Sequence, residues 1–145
     1  MGPQFLIDTN TVIDLIGNRL PPAGAQWLQQ LTDAEAHCLS VINHIELLSR
    51  PATPAELLPL ELYIDASPII QLDADIVRAT IRLRQQYRRK LPDALIAATA
   101  LVHRLTIVTR NVSDFAAIAG LQVINPYEGL SDGYLAGPRR APSAA

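Results

Sequence analysis

Short, largely apolar segments alternate with longer stretches of helical period throughout this chain, and few architectures accept that alternation. Phe5-Leu6-Ile7 is apolar at consecutive positions, so a strand there has no face to give to water. Further short strands, largely apolar, are predicted over residues 37–40, 69–72, 106–108 and, with residues 4–7 as the first, over 121–124. Strands buried on both faces and separated by helices belong in a parallel sheet, because parallel pairing needs a long crossover and the crossover helices cover the faces. The expected class is therefore α/β, with a central, mainly parallel sheet of about five strands. At 145 residues and 49% apolar content the chain can build one core but not two. Residues 1–130 are read as a single domain. From Ser131 onward, Gly, Pro, Ser and Ala with Arg139-Arg140 and no apolar period predict a loose tail over 131–145.

The helices have local start and stop signals. Asp8-Thr9-Asn10-Thr11 suits the cap of a helix bearing Val12, Ile13, Leu15 and Ile16, which Gly17-Asn18 ends. Pro21-Pro22 precedes a helix with Trp27, Leu28 and Leu31, and Arg50-Pro51 ends the one that carries Glu46. Residues 52–63 are helical but contain Pro59, which allows a kink or two short helices. Asp73 caps a helix expected to reach about residue 89, and Pro92-Asp93 opens another, apolar nearly all round from 94 to 102. A short helix is expected over 114–119.

Composition excludes several classes of function. The net charge of −2 gives no global field for nucleic acid, so such a partner needs a local patch, which Arg78, Arg82, Arg84, Arg88, Arg89 and Lys90 supply. By default these cations form a solvated helix face; their place just before Asp93 also suits them to guide phosphates. The lone Cys38 cannot form an internal disulfide and suits a reducing compartment. There is no signal-like start and no apolar run near the roughly 20 residues that span a bilayer, so a soluble cytoplasmic protein without membrane contact is expected. Nucleophile-elbow, phosphate-loop and dinucleotide patterns are absent.

Four acids stand at strand ends or helix starts: Asp8, Glu46, Asp93 and Asp114. Alone, Asp8 and Asp114 are equally explained as helix caps, and Asp93 as a favourable charge in a first turn. Glu46, among Ile42, Ile45, Leu47 and Leu48, either faces solvent or is buried and needs a partner. Ligands of open parallel sheets gather beyond the carboxyl ends of the strands, and Asp8 and the 109–114 loop both occupy such ends. If the first and fourth strands are adjacent, the acids meet. Carboxylates so gathered repel one another unless a cation shares their charge, and all-oxygen ligation selects Mg²⁺ or Mn²⁺ over zinc. Thr9, Asn10, Thr109 and Asn111 are placed to orient those carboxylates.

The motifs Leu6-Ile7-Asp8-Thr9-Asn10, Ser40-Val41-Ile42 leading to Glu46-Leu47-Leu48, Leu91-Pro92-Asp93-Ala94-Leu95-Ile96-Ala97-Ala98-Thr99-Ala100 and Ile107-Val108-Thr109-Arg110-Asn111-Val112-Ser113-Asp114-Phe115, then Val123-Ile124-Asn125-Pro126-Tyr127, occur in order. Together they resemble the PIN-domain family, particularly the VapC-type toxin ribonucleases of type II toxin-antitoxin systems, over about residues 5–127. The resemblance implies a three-layer α/β/α sandwich, Mg²⁺- or Mn²⁺-dependent RNA cleavage, dimerisation, and inhibition by a small antitoxin that also binds operator DNA. It implies Asp8, Glu46 and Asp93 as core acids, with Asp114 as the fourth carboxylate and Asn111 its neutral neighbour. Asn43-His44-Ile45 departs from the small or apolar residues frequent before that glutamate. Arg82, Arg88, Arg89, Lys90 and Arg110 are the expected RNA contacts. The alternatives are a catalytically inactive PIN-like binding module and an aspartate-dependent phosphatase or receiver-like domain. The last is disfavoured because Asp8-Thr9-Asn10 lacks a second aspartate two residues on.

Overall fold

The computed structural model describes residues 2–128; the expected domain boundary at 130 and the tail over 131–145 lie outside them. Five parallel strands, β1 (Phe5–Ile7), β2 (His37–Ser40), β3 (Ile69–Ile70), β4 (Thr106–Val108) and β5 (Gln122–Ile124), form one sheet in the order β3-β2-β1-β4-β5. The chain winds outward from β1 through β2 to β3, then returns to lay β4 on the other side of β1. Strand order thus reverses between β1 and β4, where crossovers diverge and leave a crevice at the carboxyl ends. Phe5, Leu6 and Ile7 pair with Thr106, Ile107 and Val108, which brings the residues just past both strands side by side.

Period-two alternation splits β1 between two cores. Phe5 and Ile7 pack with Trp27, Leu28, Leu31 and Leu39 on one face, and Leu6 packs with Ile76, Ile96, Ala97 and Ile107 on the other. The first core is covered by α1 (Thr9–Ile16), α2 (Pro22–Asp33) and α4 (Pro54–Asp65), the second by α5 (Ala74–Gln86) and α6 (Leu91–His103). Helix α3 (Val41–Ser49) sits at the border, with Leu47 in the first core and Ile42 against the second. The result is the expected three-layer sandwich. Buried Ala94, Ala97, Ala98 and Ala100 let α6 lie close to its neighbours, and Gly24 does the same for α2. A Cβ at Gly24 would stand 2.1 Å from the Pro126 carbonyl oxygen.

Several predicted bounds shift. Pro59 lies within α4, a single helical span. Helix α5 stops at Gln86, short of the expected residue 89: Tyr87 is extended (φ −121°, ψ 130°) and its hydroxyl accepts the Ala119 N–H at 3.2 Å, so a tertiary bond draws the chain out of the helix. Arg88, Arg89 and Lys90 therefore lie on the connection into α6. The last helix, α7 (Val112–Ala116), is capped at Asn111, so Asp114 falls in its first turn and is not its cap. The cause is the Thr109 hydroxyl, which accepts the Asn111 N–H at 3.0 Å and turns the chain early. No helix among the described residues is long and apolar enough to cross a membrane.

Candidate active site

Asp8 directly follows β1 where strand order reverses, held on three sides. Its own N–H continues the sheet by donating to the Val108 carbonyl at 3.0 Å. As the N-cap of α1 it accepts the Thr9 N–H on Oδ1 at 2.9 Å, and its Oδ2 accepts the Thr109 hydroxyl at 2.8 Å. Thr109, wholly buried just past β4, has its oxygen occupied by the Asn111 N–H, which leaves its single proton for Asp8. The cap role thus leaves both oxygens of one carboxylate hydrogen-bonded at the reversal of strand order.

Glu46 reaches the same crevice from α3. Its Oε1 accepts the Thr9 hydroxyl at 2.8 Å, and the Thr9 oxygen in turn accepts Asn43 Nδ2 at 3.0 Å. Asn43 is fully buried and also closes the capping box of α3, its Oδ1 accepting the Ser40 N–H at 2.8 Å. Asp93 lies half-buried in the first turn of α6, and Asp114 lies exposed in the first turn of α7.

Electrostatics tie the four together. Burial pushes the Asp8 carboxyl above its ordinary value of 3.8; the hydrogen bonds from Thr109 and Thr9 pull it down, while the charges of Glu46 and Asp114 push it further up. Burial likewise raises Asp93, as do Asp114 and Asp8, with Lys90 and Arg89 opposing. Each acid therefore lies in the field of at least one other, and two cations reach that field. Among the described residues no three His, Cys, Asp or Glu side chains close on one point as a finished ion cage. The donor set remains all-oxygen, and it fits a hard ion that keeps several waters and takes one or two carboxylates directly.

Other expected residues are distributed unevenly. Thr9 and Thr109 hold carboxylates directly, whereas Asn111 contributes its backbone N–H and Asn10 is exposed. Arg110 stacks its guanidinium 4.9 Å from the Tyr127 ring centroid, and the Tyr127 hydroxyl donates to Asp14. Arg82 and Arg88 are exposed and Arg89 is half-buried, while Arg78 pairs with Asp75 on the surface. Sequence reasoning singles out Asn43 only as part of a departure before Glu46 and not for this bond; the available signal is the Ser-x-x-Asn spacing from Ser40, a capping box that ends three residues before the glutamate.

The PIN domain family model matches residues 5–121, a span containing all four acids. The chain belongs to the PIN-domain family. A ribonuclease, VapC19 of Mycobacterium tuberculosis, is 35% identical over 123 residues, covering 81% of this PIN domain chain and 96% of the relative. A toxin-antitoxin complex from Klebsiella pneumoniae contains a chain 35% identical, with a TM-score of 0.68 over 86% of this chain and 99% of that one. A DNA-bound VapBC from Salmonella typhimurium superposes at TM-score 0.74 and 25% identity, covering 86% and 98% of the two chains.

Proposed function

We propose that this PIN domain is a metal-dependent endoribonuclease toxin that hydrolyses RNA phosphodiesters and is neutralised by a cognate antitoxin. The observation that carries the reading is the Asp8 carboxylate, buried at the reversal of strand order with both oxygens hydrogen-bonded and Glu46, Asp93 and Asp114 within its field. Asp8, Glu46, Asp93 and Asp114 would hold Mg²⁺ or Mn²⁺. Such an ion, when bound, supplies charge stabilisation for the phosphoryl group and acidifies water for in-line attack. Thr9 and Thr109 keep the carboxylates in place by donating to them, and Thr9 and Thr109 need no movement to do so. Arg89 and Lys90 balance the acidic crevice and meet RNA phosphates, with Arg82, Arg88 and Arg110 extending the path.

The antitoxin assignment is supported by the match to chains of toxin-antitoxin and VapBC complexes along nearly their full length. Homodimerisation is supported by Ile45, Leu48, Val77 and Ile81, large apolar side chains left exposed on α3 and α5. The cytoplasm, where RNA is at hand, is the place of action.

Asp8→Asn and Asp93→Asn test the site. Each is expected to retain the fold and lose about 100-fold or more in cleavage of total RNA with Mg²⁺ or Mn²⁺, the scale of several kcal/mol of transition-state stabilisation. Parental rates in both would move the chemistry elsewhere. The incomplete ion cage favours a second reading, a binding module without turnover. A parental protein that is folded, cuts no RNA and takes up no divalent ion in titration would decide for it.

A further inference from the structure

Glu46 is not held by a single hydrogen bond but by a chain of three whose direction is fixed at its far end. The Ser40 N–H can only donate, so the Asn43 group facing it at 2.8 Å must be the carbonyl oxygen. That orientation turns the Asn43 amide nitrogen toward Thr9 Oγ1 at 3.0 Å, and a nitrogen there can only donate. The Thr9 oxygen is thereby used as an acceptor, and its one proton is left for Glu46 Oε1 at 2.8 Å. Asn43 is fully buried, so no water competes for either end of its amide.

We infer that Asn43 is a positioning residue for the Glu46 carboxylate: acting through Thr9, it commits Glu46 Oε1 to accept a hydrogen bond and leaves Oε2 for the divalent ion. The inference rests on the proposed metal-dependent site. A side chain that only closed the α3 capping box would need its oxygen alone, and either an amide or a carboxylate would serve. The relay needs the amide nitrogen as well. Asn43→Asp separates the two roles, since the new carboxylate keeps the acceptor for Ser40 and replaces the donor toward Thr9 with a second acceptor. One hydroxyl proton would then face two carboxylates.

The test measures Mn²⁺ affinity of the metal-free full-length chain, kcat and KM for RNA cleavage, and thermal unfolding in EDTA, for Asn43→Asp, Thr9→Val and the double variant. Asn43→Asp should weaken Mn²⁺ binding about tenfold or more and lower kcat with little change in KM, while still unfolding cooperatively. Because both residues act on the same oxygen, the double variant should fall no more than about twofold below the worse single one. Parental Mn²⁺ affinity and kcat in Asn43→Asp would overturn the relay, and so would losses that multiply in the double variant. Should Asn43→Asp not fold, Asn43→Ser, too short to span from Ser40 to Thr9, takes its place with the same two outcomes. Asp8→Asn and Asp93→Asn run alongside: if they too bind Mn²⁺ and cut like the parent, the proposed site has failed rather than the relay.

Discussion

At the scale of residues, the crevice stores a conflict that pH and metal should expose. The folded chain raises the Asp8 carboxyl, mainly through burial, so the native state holds that proton more tightly than the unfolded chain does. The stabilising contribution is present in full below the unfolded value of 3.8 and is lost as pH rises through the raised folded value. At neutral pH an ionised Asp8 therefore works against folding, and Asp93 has the same sign. Asp8→Asn removes the buried charge while its amide oxygen can still accept the Thr9 N–H, at the cost of the acceptor that Asp8 Oδ2 offers to the Thr109 hydroxyl. In EDTA at pH 7.5 this variant should unfold at a higher temperature than the parent, and the gain should shrink toward pH 4. Adding Mn²⁺ should raise the parental midpoint and leave that of Asp8→Asn nearly still. A variant less stable than the parent in EDTA at pH 7.5 would mean that the hydrogen bonds to Asp8 outweigh its burial.

At the scale of elements, what was legible in the sequence was whatever local chemistry decides. The run Phe5-Leu6-Ile7 announces a strand covered on both faces, and Asp8 and Asp73 announce the caps they form. The end of α5 was not legible, because residues 84–90 carry no helix breaker and it is the distant Ala119 N–H that draws Tyr87 away. Asn43 was likewise hidden: its partner Thr9 is 34 residues away, and only the fold shows that one amide serves a cap and a carboxylate together. The turn from α6 into β4 holds a different kind of constraint. Arg104, the C-cap of α6, sits in the left-handed region (φ 55°, ψ 47°), where a side chain costs about 1 kcal/mol that glycine avoids. Glycine also loosens the unfolded chain, which offsets part of the gain. Arg104→Gly should thus stabilise the protein by about 0.5 kcal/mol, read as a higher urea midpoint with an unchanged slope. A lower midpoint would show that the Arg104 side chain contributes more than its backbone strain costs.

At the scale of the whole molecule, the proposed endoribonuclease activity asks an acidic crevice in a chain of net charge −2 to bind a polyanion without help from a global field. Screening shortens the reach of surface charge to about 10 Å at 0.1 M salt, so only cations at the rim of the crevice can offset the repulsion. Lys90 and Arg89 are close enough to Asp93 to oppose the rise that burial, Asp114 and Asp8 impose on its carboxyl, and Arg88 precedes them, exposed on the same connection. Arg89 is half-buried, whereas Arg88 and Lys90 are exposed and so are the two of the three most accessible to phosphates. Each single-stranded phosphate contact contributes roughly 0.7 to the slope of log K against log salt. In an Asp8→Asn background, which keeps the RNA intact, Arg88→Ala with Lys90→Ala should therefore flatten that slope by about 1.4 for a single-stranded RNA oligonucleotide. Affinity should fall severalfold at 0.1 M salt and converge with the parent at high salt, with little dependence on base sequence, because phosphate contacts position a strand and do not read it. An unchanged slope would place the RNA path elsewhere, toward Arg82 on α5 or Arg110 beside Tyr127, and the same measurement on variants of those two arginines would then locate it.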